Sequence, residues 1–432
     1  MRPPFLHRIS LFVALLVCSL TSHGPYVVMS GILLLCACCV RAPDVREALF
    51  SPRYVAFLSL SATIITAFYL WYLAVPHANT SHELEKSGTN NFVFLLLVLM
   101  FLATFSALIE ARLDEMATML SALLVLHCAV LLLQTVMLIV TGRYIDFLQP
   151  ITGEASRYLN YASVNPIFGY RPTGLYVEPS TFAAAVGAMT VGYVLLSRAS
   201  GRAPSVLPIA LTVVSMLITQ SAAAVVQTAV LIAALMFGHM RPSSRVWAAI
   251  AVAMLAAVSP GLISAYFNSF MLKFSSDSGM RFALMSYVFH LRQGWDYVFG
   301  YGPFSLEYDL YNLASAKATG SPSVASLNDA GLLNYFVVLF GVAGLAIPAA
   351  IFLRMRKDVG TVCFFGLLMT TKLSYTAPVL YFGLLPLILR LGAPPRVAVT
   401  PRSVGSVNAP RHRGDPSCAR LAIDDGSQSR SS

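Results

Sequence analysis

The chain alternates long apolar stretches with short polar connections. Twelve stretches have the composition of membrane-spanning helices, which need about 20 apolar residues and fewer where two helices pair as a hairpin. Six stand alone, at 54–75, 92–109, 117–140, 181–196, 246–267 and 331–353. Six more form the hairpins 9–21 with 25–40, 206–218 with 222–237, and 359–371 with 379–389. The pattern predicts an all-α, polytopic integral membrane protein with about 12 transmembrane helices.

Charged side chains are scarce and lie between these stretches. The 432 residues are 57% apolar and include 29 Lys and Arg against 19 Asp and Glu, so 11% are charged, compared with roughly 25% in soluble domains. This composition excludes an ordinary soluble enzyme and a disordered chain. Of the 29 cations, 20 fall in alternate connections that include both termini. The positive-inside rule therefore predicts cytoplasmic termini, and the net charge of +10 indicates orientation in a membrane rather than nucleic-acid binding.

Two connections on the opposite side are long, at 141–180 and 268–330. They belong to a predicted transmembrane domain over 1–391, which an uncleaved first helix anchors. A tail over 392–432, rich in Pro, Gly, Ser and Arg, is predicted to be a disordered basic cytoplasmic segment. Transporters place polar groups within their spans, whereas the ionisable residues here lie in loops. The pattern favours chemistry at a membrane surface.

The first long loop ends in a candidate anion site. Arg171 and Glu178 precede Pro179 and Ser180, which suit the start of a helix whose free N–H groups attract an anion. A capped helix with an ion pair at the membrane interface is the alternative reading. Both stay open from the spacing alone.

The second long loop carries two arginines, Arg281 and Arg292, eleven residues apart on an apolar segment with helical periodicity. We expect an amphipathic helix on the outer leaflet. Arginine engages phosphate oxygens through its planar donor fork, although anchoring to lipid headgroups is an alternative. The glycines in 300–302 predict a tight turn that brings backbone near a ligand.

Neither a metal nor another cofactor is predicted. The cysteines at 36, 38 and 39 have no His or acidic residue at ligand spacing and suit apolar packing. His127 lies inside a predicted span, where we expect it to pack between helices.

Four segments, taken in order, resemble the Wzy-type polysaccharide polymerases of the bacterial O-antigen polymerase and ligase superfamily. They are an Arg-x-x-Gly segment with Glu-Pro leading into a helix (171–182), a Leu-Ile-Thr-Gln-Ser hairpin turn (217–221), Arg281 with a downstream Gly-Tyr-Gly (300–302), and Asn-Asp before a span with Gly-x-x-Gly (328–344). The nearest subgroup is the polymerases of secreted exopolysaccharides such as xanthan.

The resemblance implies polymerisation of undecaprenyl-diphosphate-linked oligosaccharide repeats at the periplasmic face of a bacterial inner membrane. A chain-length co-polymerase and a flippase are the partners implied. A diphosphate leaving group needs positive charge, for which the candidates are Arg171, Arg281 and Arg292. The acceptor hydroxyl needs a base or orienting acceptor, for which the candidates are Glu178 and Asp329. The residues expected to stack on sugars, or to form an interfacial belt, are Tyr176, Trp295 and Tyr301.

Two other functions remain open. An O-antigen ligase would share the loops, but ligases carry a His ten residues before the Gly-x-x-Gly, where this chain has Ala330 and Gly331. A flippase or other transporter of lipid-linked oligosaccharide would also have about twelve spans, with charge along its central cavity and short outer loops.

Overall fold

The structure is a computed structural model that describes residues 5–74, 82–158, 170–236, 294–300, 302–304 and 331–389, with the single positions 264, 268, 271 and 289. Within these residues every regular element is helical. In chain order the helices are α1 Phe5–Ser19, α2 Pro25–Arg41, α3 Pro43–Leu49, α4 Pro52–Ala74, α5 His82–Ala111, α6 Leu113–Thr141, α7 Gln149–Thr152, α8 Pro179–Ala199, α9 Val206–Ile218, α10 Ala222–Ala234, α11 Asp296–Phe299, α12 Leu332–Phe340, α13 Ala346–Arg354, α14 Val359–Met369 and α15 Pro378–Ile388, with a 3-10 turn at Gly341–Leu345.

Helices occupy eleven of the twelve predicted stretches, and almost all of 246–267 lies outside the described residues. Five segments among the described residues are long and apolar enough to cross a membrane, and six are if the bent pair α2 and α3 forms one span. Five further apolar helices have 10–17 residues. These helices confirm the all-helical class and the membrane-protein character. The number of twelve crossings stays a prediction, as does the tail over 392–432, which lies outside the described residues.

Helix α8 lies at the centre of the bundle, and nearly all of its residues are buried. It packs against α6, α9, α10, α14 and α15. A Cβ added at Gly192 would approach Phe382 O more closely than real Cβ atoms do, and one at Gly383 would lie 2.6 Å from Ala188 O. Small residues at these crossings let the backbones of α8 and α15 meet directly. Helix α4 is the opposite case, since hardly any of it is buried.

The two ends of the bundle differ in chemistry. We call the end with residues 44, 53 and 110–115 the charged end, and the end with residues 22–24, 173–178 and 219–221 the loop end. At the charged end, the turn 110–115 between α5 and α6 forms ion pairs with four other parts of the chain. The pairs are Glu110 with Arg53, Arg112 with Asp44, Asp114 with Arg202, and Glu115 with Arg8.

The pair between Arg112 and Asp44 has the strongest geometry. Nε and Nη2 of Arg112 donate to the two carboxylate oxygens of Asp44, each at 2.7 Å. Asp44 lies on α3, a short helix that the apolar pattern did not predict and that bends by 107° from α2. A two-point bond between a guanidinium and a carboxylate fixes orientation as well as distance. This pair therefore holds α3 in its bent position.

We expect Asp44→Asn to lower the apparent melting temperature of the purified protein, because it weakens a two-point bond to an arginine that is only 12% exposed. Since Asp44 itself is 47% exposed, the loss should be about 1 kcal/mol. Asp114→Asn is the matched control, because Asp114 and Arg202 are both 59% exposed and 3.4 Å apart. An equal shift in both variants would contradict the special role of the Asp44 pair.

The stability that the pair between Arg112 and Asp44 contributes should depend on pH. The hydrogen bonds from Arg112 hold the pKa of Asp44 below its ordinary value. Stability from this group is therefore complete above the pKa of an unfolded aspartate, about 3.9, and is lost as the pH falls toward the lower folded value. The melting temperature of Asp44→Asn should fall less steeply in acid than that of the unchanged protein.

Candidate functional site

The first long loop returns to the helices at the loop end through residues 170–178, which we call the site segment. It leads directly into α8, with Glu178 as the residue before the first turn and Pro179 as the first helical residue. Residues 171–177 are all buried. The segment therefore packs into the helix ends rather than over them, and it carries three predicted site residues: Arg171, Tyr176 and Glu178.

Arg171 contacts the turn between α9 and α10. Its side chain is buried, with 7% of the residue exposed, and its Nε donates to the carbonyl oxygen of Thr219 at 3.3 Å. The residue also donates its backbone N–H to Tyr158 O at 3.2 Å. The contact with Thr219 joins two sequence segments, 171–182 and 217–221, that lie far apart along the chain.

The turn that Arg171 contacts is strained. Gln220 has a φ of 51° and is the one non-glycine residue with a positive φ among the described residues. Such a conformation costs of the order of 1–3 kcal/mol and recurs at functional sites. Thr219, Gln220 and Ser221 are also buried, and α10 begins at the next residue.

The charges around this turn suit an anion. Arg171 supplies a guanidinium with several donors in one plane, and the start of α10 supplies N–H groups and the positive end of a helix dipole. Because both groups are positive, each adds to the attraction of the other for an anion. A phosphate-type ligand is the chemistry that this arrangement fits.

Glu178 is engaged by a residue that the sequence analysis missed. Its Oε1 forms an ion pair with Nη1 of Arg157, and its Oε2 lies 3.4 Å from the donating Oγ of Ser180. The side chains of Arg157 and Glu178 are 56% and 30% exposed. Glu178 is thus near solvent and already paired, but its side chain makes no capping hydrogen bond to α8. Arg157 and Glu178 are 21 positions apart in the sequence, and no periodic pattern links them.

Tyr176 has a packing role in this structure. It is 1% exposed, and its ring stacks on His127 with centroids 5.3 Å apart and meets Phe182 edge-on at 5.9 Å. A ring this deeply buried cannot stack on a sugar in this arrangement, so we revise its predicted glycan contact. His127 packs between helices as expected, with its Nε2 bonded to Ser19 Oγ at 2.9 Å.

A glutamine on α6 binds the middle of the site segment. Gln134 donates from Nε2 to the carbonyl oxygens of Gly174 and Ile145, each at 3.0 Å. Its Oε1 accepts from the Gly174 N–H at 2.8 Å and from the Tyr144 hydroxyl at 3.1 Å. All four hydrogen-bonding positions of the amide are thereby used. Gln134 anchors two parts of the loop to a helix.

The tip of the first hairpin binds the end of the site segment. Nε2 of His23 lies 3.0 Å from Leu175 O and Nδ1 lies 3.0 Å from Thr152 Oγ1, while Ser22 Oγ accepts from the Val177 N–H at 3.0 Å. A carbonyl oxygen only accepts, so Nε2 carries the hydrogen. Ser22 and His23 thus hold the backbone on both sides of Tyr176.

Of the other five predicted site residues, the structure describes one, Trp295. Trp295 is 75% exposed and precedes α11. The remaining four lie outside the described residues, and they are Arg281, Arg292, Tyr301 and Asp329. Among the residues that the structure describes, no three His, Cys, Asp or Glu side chains are grouped so as to hold a metal ion.

Comparison of the chain with models of known protein families gave no match, and a search of curated proteins gave none either.

We expect His23→Asn to loosen the site segment and His23→Gln to preserve it. The amide nitrogen of Gln can replace Nε2 and keep the bond to Leu175 O, whereas Asn reaches only the position of Nδ1. Losing one buried hydrogen bond costs about 1 kcal/mol, so backbone amides in 170–178 should exchange about fivefold faster with deuterated water. Mass spectrometry of peptides over 170–182 measures this, and equal exchange in both variants would contradict the assignment.

Lowering the pH should also loosen the site segment in the unchanged protein. Burial lowers the pKa of His23, so the neutral ring that suits its buried position is favoured near pH 7. Protonation in the unfolded chain begins near pH 6.5, and the contribution of His23 is lost as the pH falls from there toward the lower folded pKa. Exchange in 170–178 should rise over this range in the unchanged protein, and His23→Gln should lack that component.

Proposed function

We propose that this chain is a metal-independent glycosyltransferase of a bacterial inner membrane, with both termini in the cytoplasm. It polymerises undecaprenyl-diphosphate-linked oligosaccharide repeats into exopolysaccharide or O-antigen at the periplasmic face. The observation that carries the proposal is the buried guanidinium of Arg171 against the strained turn 219–221. Both parts belong to the motif order of the Wzy-type polymerases, and their contact adds support that the order alone does not supply.

The donor substrate is a glycan linked through a diphosphate to a polyprenyl lipid. Transfer breaks the bond between the sugar C1 and the diphosphate oxygen, and negative charge develops on that oxygen. Arg171 and the N–H groups at the start of α10 stabilise this charge, because oriented positive groups act most strongly where water is excluded. The lipid diphosphate leaves with the bonding electrons.

The acceptor is a hydroxyl of a second lipid-linked repeat. Its oxygen forms the new bond to C1 and its proton passes to a carboxylate. Among the described residues, Glu178 at the end of the site segment is the candidate for this proton-accepting role. Its pairing with Arg157 holds the carboxylate in place until the acceptor hydroxyl takes the place of the guanidinium.

Other predicted residues complete the proposal. Arg281 and Arg292 share the diphosphate charge, Asp329 is the second candidate base, and Trp295 and Tyr301 contact the glycan. A chain-length co-polymerase and a flippase are the proposed protein partners. Ligase or flippase activity in place of polymerisation gives different products, so one experiment separates the three functions.

Deleting the gene should abolish long polymer and leave single lipid-linked repeats on the outer leaflet. Extraction of lipid-linked glycans, with sidedness measured by a membrane-impermeant probe, tests this. Repeats trapped on the inner leaflet would identify a flippase instead. Normal polymer that fails to join its final acceptor would identify a ligase.

Arg171→Ala should reduce polymer formation about a hundredfold or more, since removing one group that stabilises developing charge typically costs that much. Arg171→Lys keeps the charge but loses the planar fork, and should retain intermediate activity. Arg143→Ala is the matched control, because Arg143 is an exposed cation of the same loop. Immunoblotting of membranes confirms equal insertion. If Arg171→Ala, Arg281→Ala and Arg292→Ala all polymerise at the full rate, the assignment of the diphosphate site is wrong.

A further inference from the structure

Two adjacent side chains on α10 are buried without hydrogen bonds. Gln227 and Thr228 are each 2% exposed. Within the part of the chain that the structure describes, the amide nitrogen and oxygen of Gln227 and the hydroxyl of Thr228 have no hydrogen-bond partner. Burying such groups unpaired is unfavourable, and folded proteins pair nearly all of them. The two side chains therefore suit a partner that the protein itself does not supply.

Comparable side chains elsewhere in the bundle are paired. Gln134 is as deeply buried on α6 and uses all four hydrogen-bonding positions of its amide. Thr190 and Thr212 are buried in α8 and α9, and each donates to the carbonyl oxygen four residues earlier, at 2.7 and 2.9 Å. Thr228 makes no such bond. A buried glutamine or threonine in this bundle can therefore be paired by the protein, and the two on α10 are not.

The unpaired groups lie on the face of α10 that continues from the strained turn. Ser221, Ala224, Gln227 and Thr228 follow at intervals of three or four residues, which share one face of a helix, and all are buried, whereas Val226 is 44% exposed. From the first residue of α10 to Gln227 the rise is about 7.5 Å, and helical side chains lean toward the N-terminal end. Between the turn and the amide, this face carries only the methyl group of Ala224. The two polar groups are thus close neighbours of the turn that Arg171 contacts.

The chemistry of the two groups indicates what they bind. A carboxamide donates and accepts hydrogen bonds, a hydroxyl does both, and neither is charged. Anions are held by cations such as Arg171, and metal ions by carboxylates. Uncharged groups that both donate and accept match the hydroxyls of a sugar, which do the same. In the proposed function the sugar is joined directly to the diphosphate, so it lies beside the ligand of Arg171.

We propose that Gln227 and Thr228 bind hydroxyl groups of the donor glycan while Arg171 holds its diphosphate, an inference that rests on the proposed function. Binding gives the unpaired amide and hydroxyl their hydrogen bonds, and a site built to bond a hydroxyl discriminates strongly against ligands that lack one. Both groups are closed off in this structure, so the strained turn 219–221 must shift to admit the glycan. The specificity of the site would then reside in α10 and its charge recognition in the site segment.

The first test compares two lipids that differ only in the glycan. The full chain in lipid nanodiscs is titrated with undecaprenyl diphosphate and with undecaprenyl-diphosphate-linked repeats extracted from cells lacking the gene. The unchanged protein should bind the repeat more tightly than the bare lipid. Gln227→Met, which keeps the length of the side chain, should weaken binding of the repeat about tenfold, and Thr228→Val, which keeps its shape, about fivefold. Neither variant should change the affinity for the bare lipid.

The second test measures the apparent melting temperature without any lipid-linked ligand. Gln227→Met should raise it, because an apolar side chain replaces a buried amide that has no partner. Gln134→Met is the matched control and should lower it, because that change removes an amide whose four hydrogen bonds are all made. Opposite signs in the two glutamine variants are the signature of a group kept for a ligand, since a merely structural amide would behave like Gln134.

Three results would overturn the glycan site. Unchanged binding of the repeat by Gln227→Met and Thr228→Val would show that these groups do not contact the sugar. A melting temperature that falls in Gln227→Met as it does in Gln134→Met would show that water or protein already pairs the amide. Equal affinity of the unchanged protein for the two lipids would reject the glycan site and leave the diphosphate role of Arg171 intact. If the unchanged protein binds neither lipid, the proposed function itself is wrong and the glycan site falls with it.

Discussion

The arrangement depends on one constraint, which is that backbone N–H and C=O groups buried away from water must find partners inside the protein. A helix satisfies this constraint with its own backbone hydrogen bonds, whereas an irregular segment needs donors and acceptors from other parts of the chain. Gln134 satisfies both polar groups of Gly174, His23 and Ser22 bind the neighbouring backbone, and Gly302 binds Leu339. The site segment and Gly302 are held in this way.

This constraint explains why the candidate chemistry lies where it does. Holding residues 170–178 against the ends of α6 and α8 carries Arg171 into contact with the turn before α10, and a charged group becomes buried without entering a span. Glu178 lies at the start of α8, and its side chain is 30% exposed. The two groups thus lie in different surroundings, one shielded from water and the other near it. In the proposed function, this difference separates the stabilisation of the leaving group from the transfer of the proton.

Features that depend on neighbouring residues could be predicted from the sequence, whereas contacts between distant residues could not. Apolar stretches located eleven helices, and the polar turn 219–221 ends its hairpin where expected, because each depends on neighbouring residues. Helix α3 was missed since its seven residues carry charge. The 3-10 turn at Gly341–Leu345 between α12 and α13 was missed since the apolar pattern continues through it. The roles of Gln134, His23 and Arg157 depend on contacts across 21 to 152 residues, and a single sequence holds no pattern for such pairs.

The turn 110–115 also sets an order on biosynthesis. Three of its partners, Arg8, Asp44 and Arg53, are made before it, while Arg202 follows about 90 residues later. While the chain is being made, the first four helices therefore have no ionic partner at this turn until α5 is complete. The last pair must wait until α8 has been inserted. The four ion pairs of this turn can therefore be complete only after the most buried helix has been made.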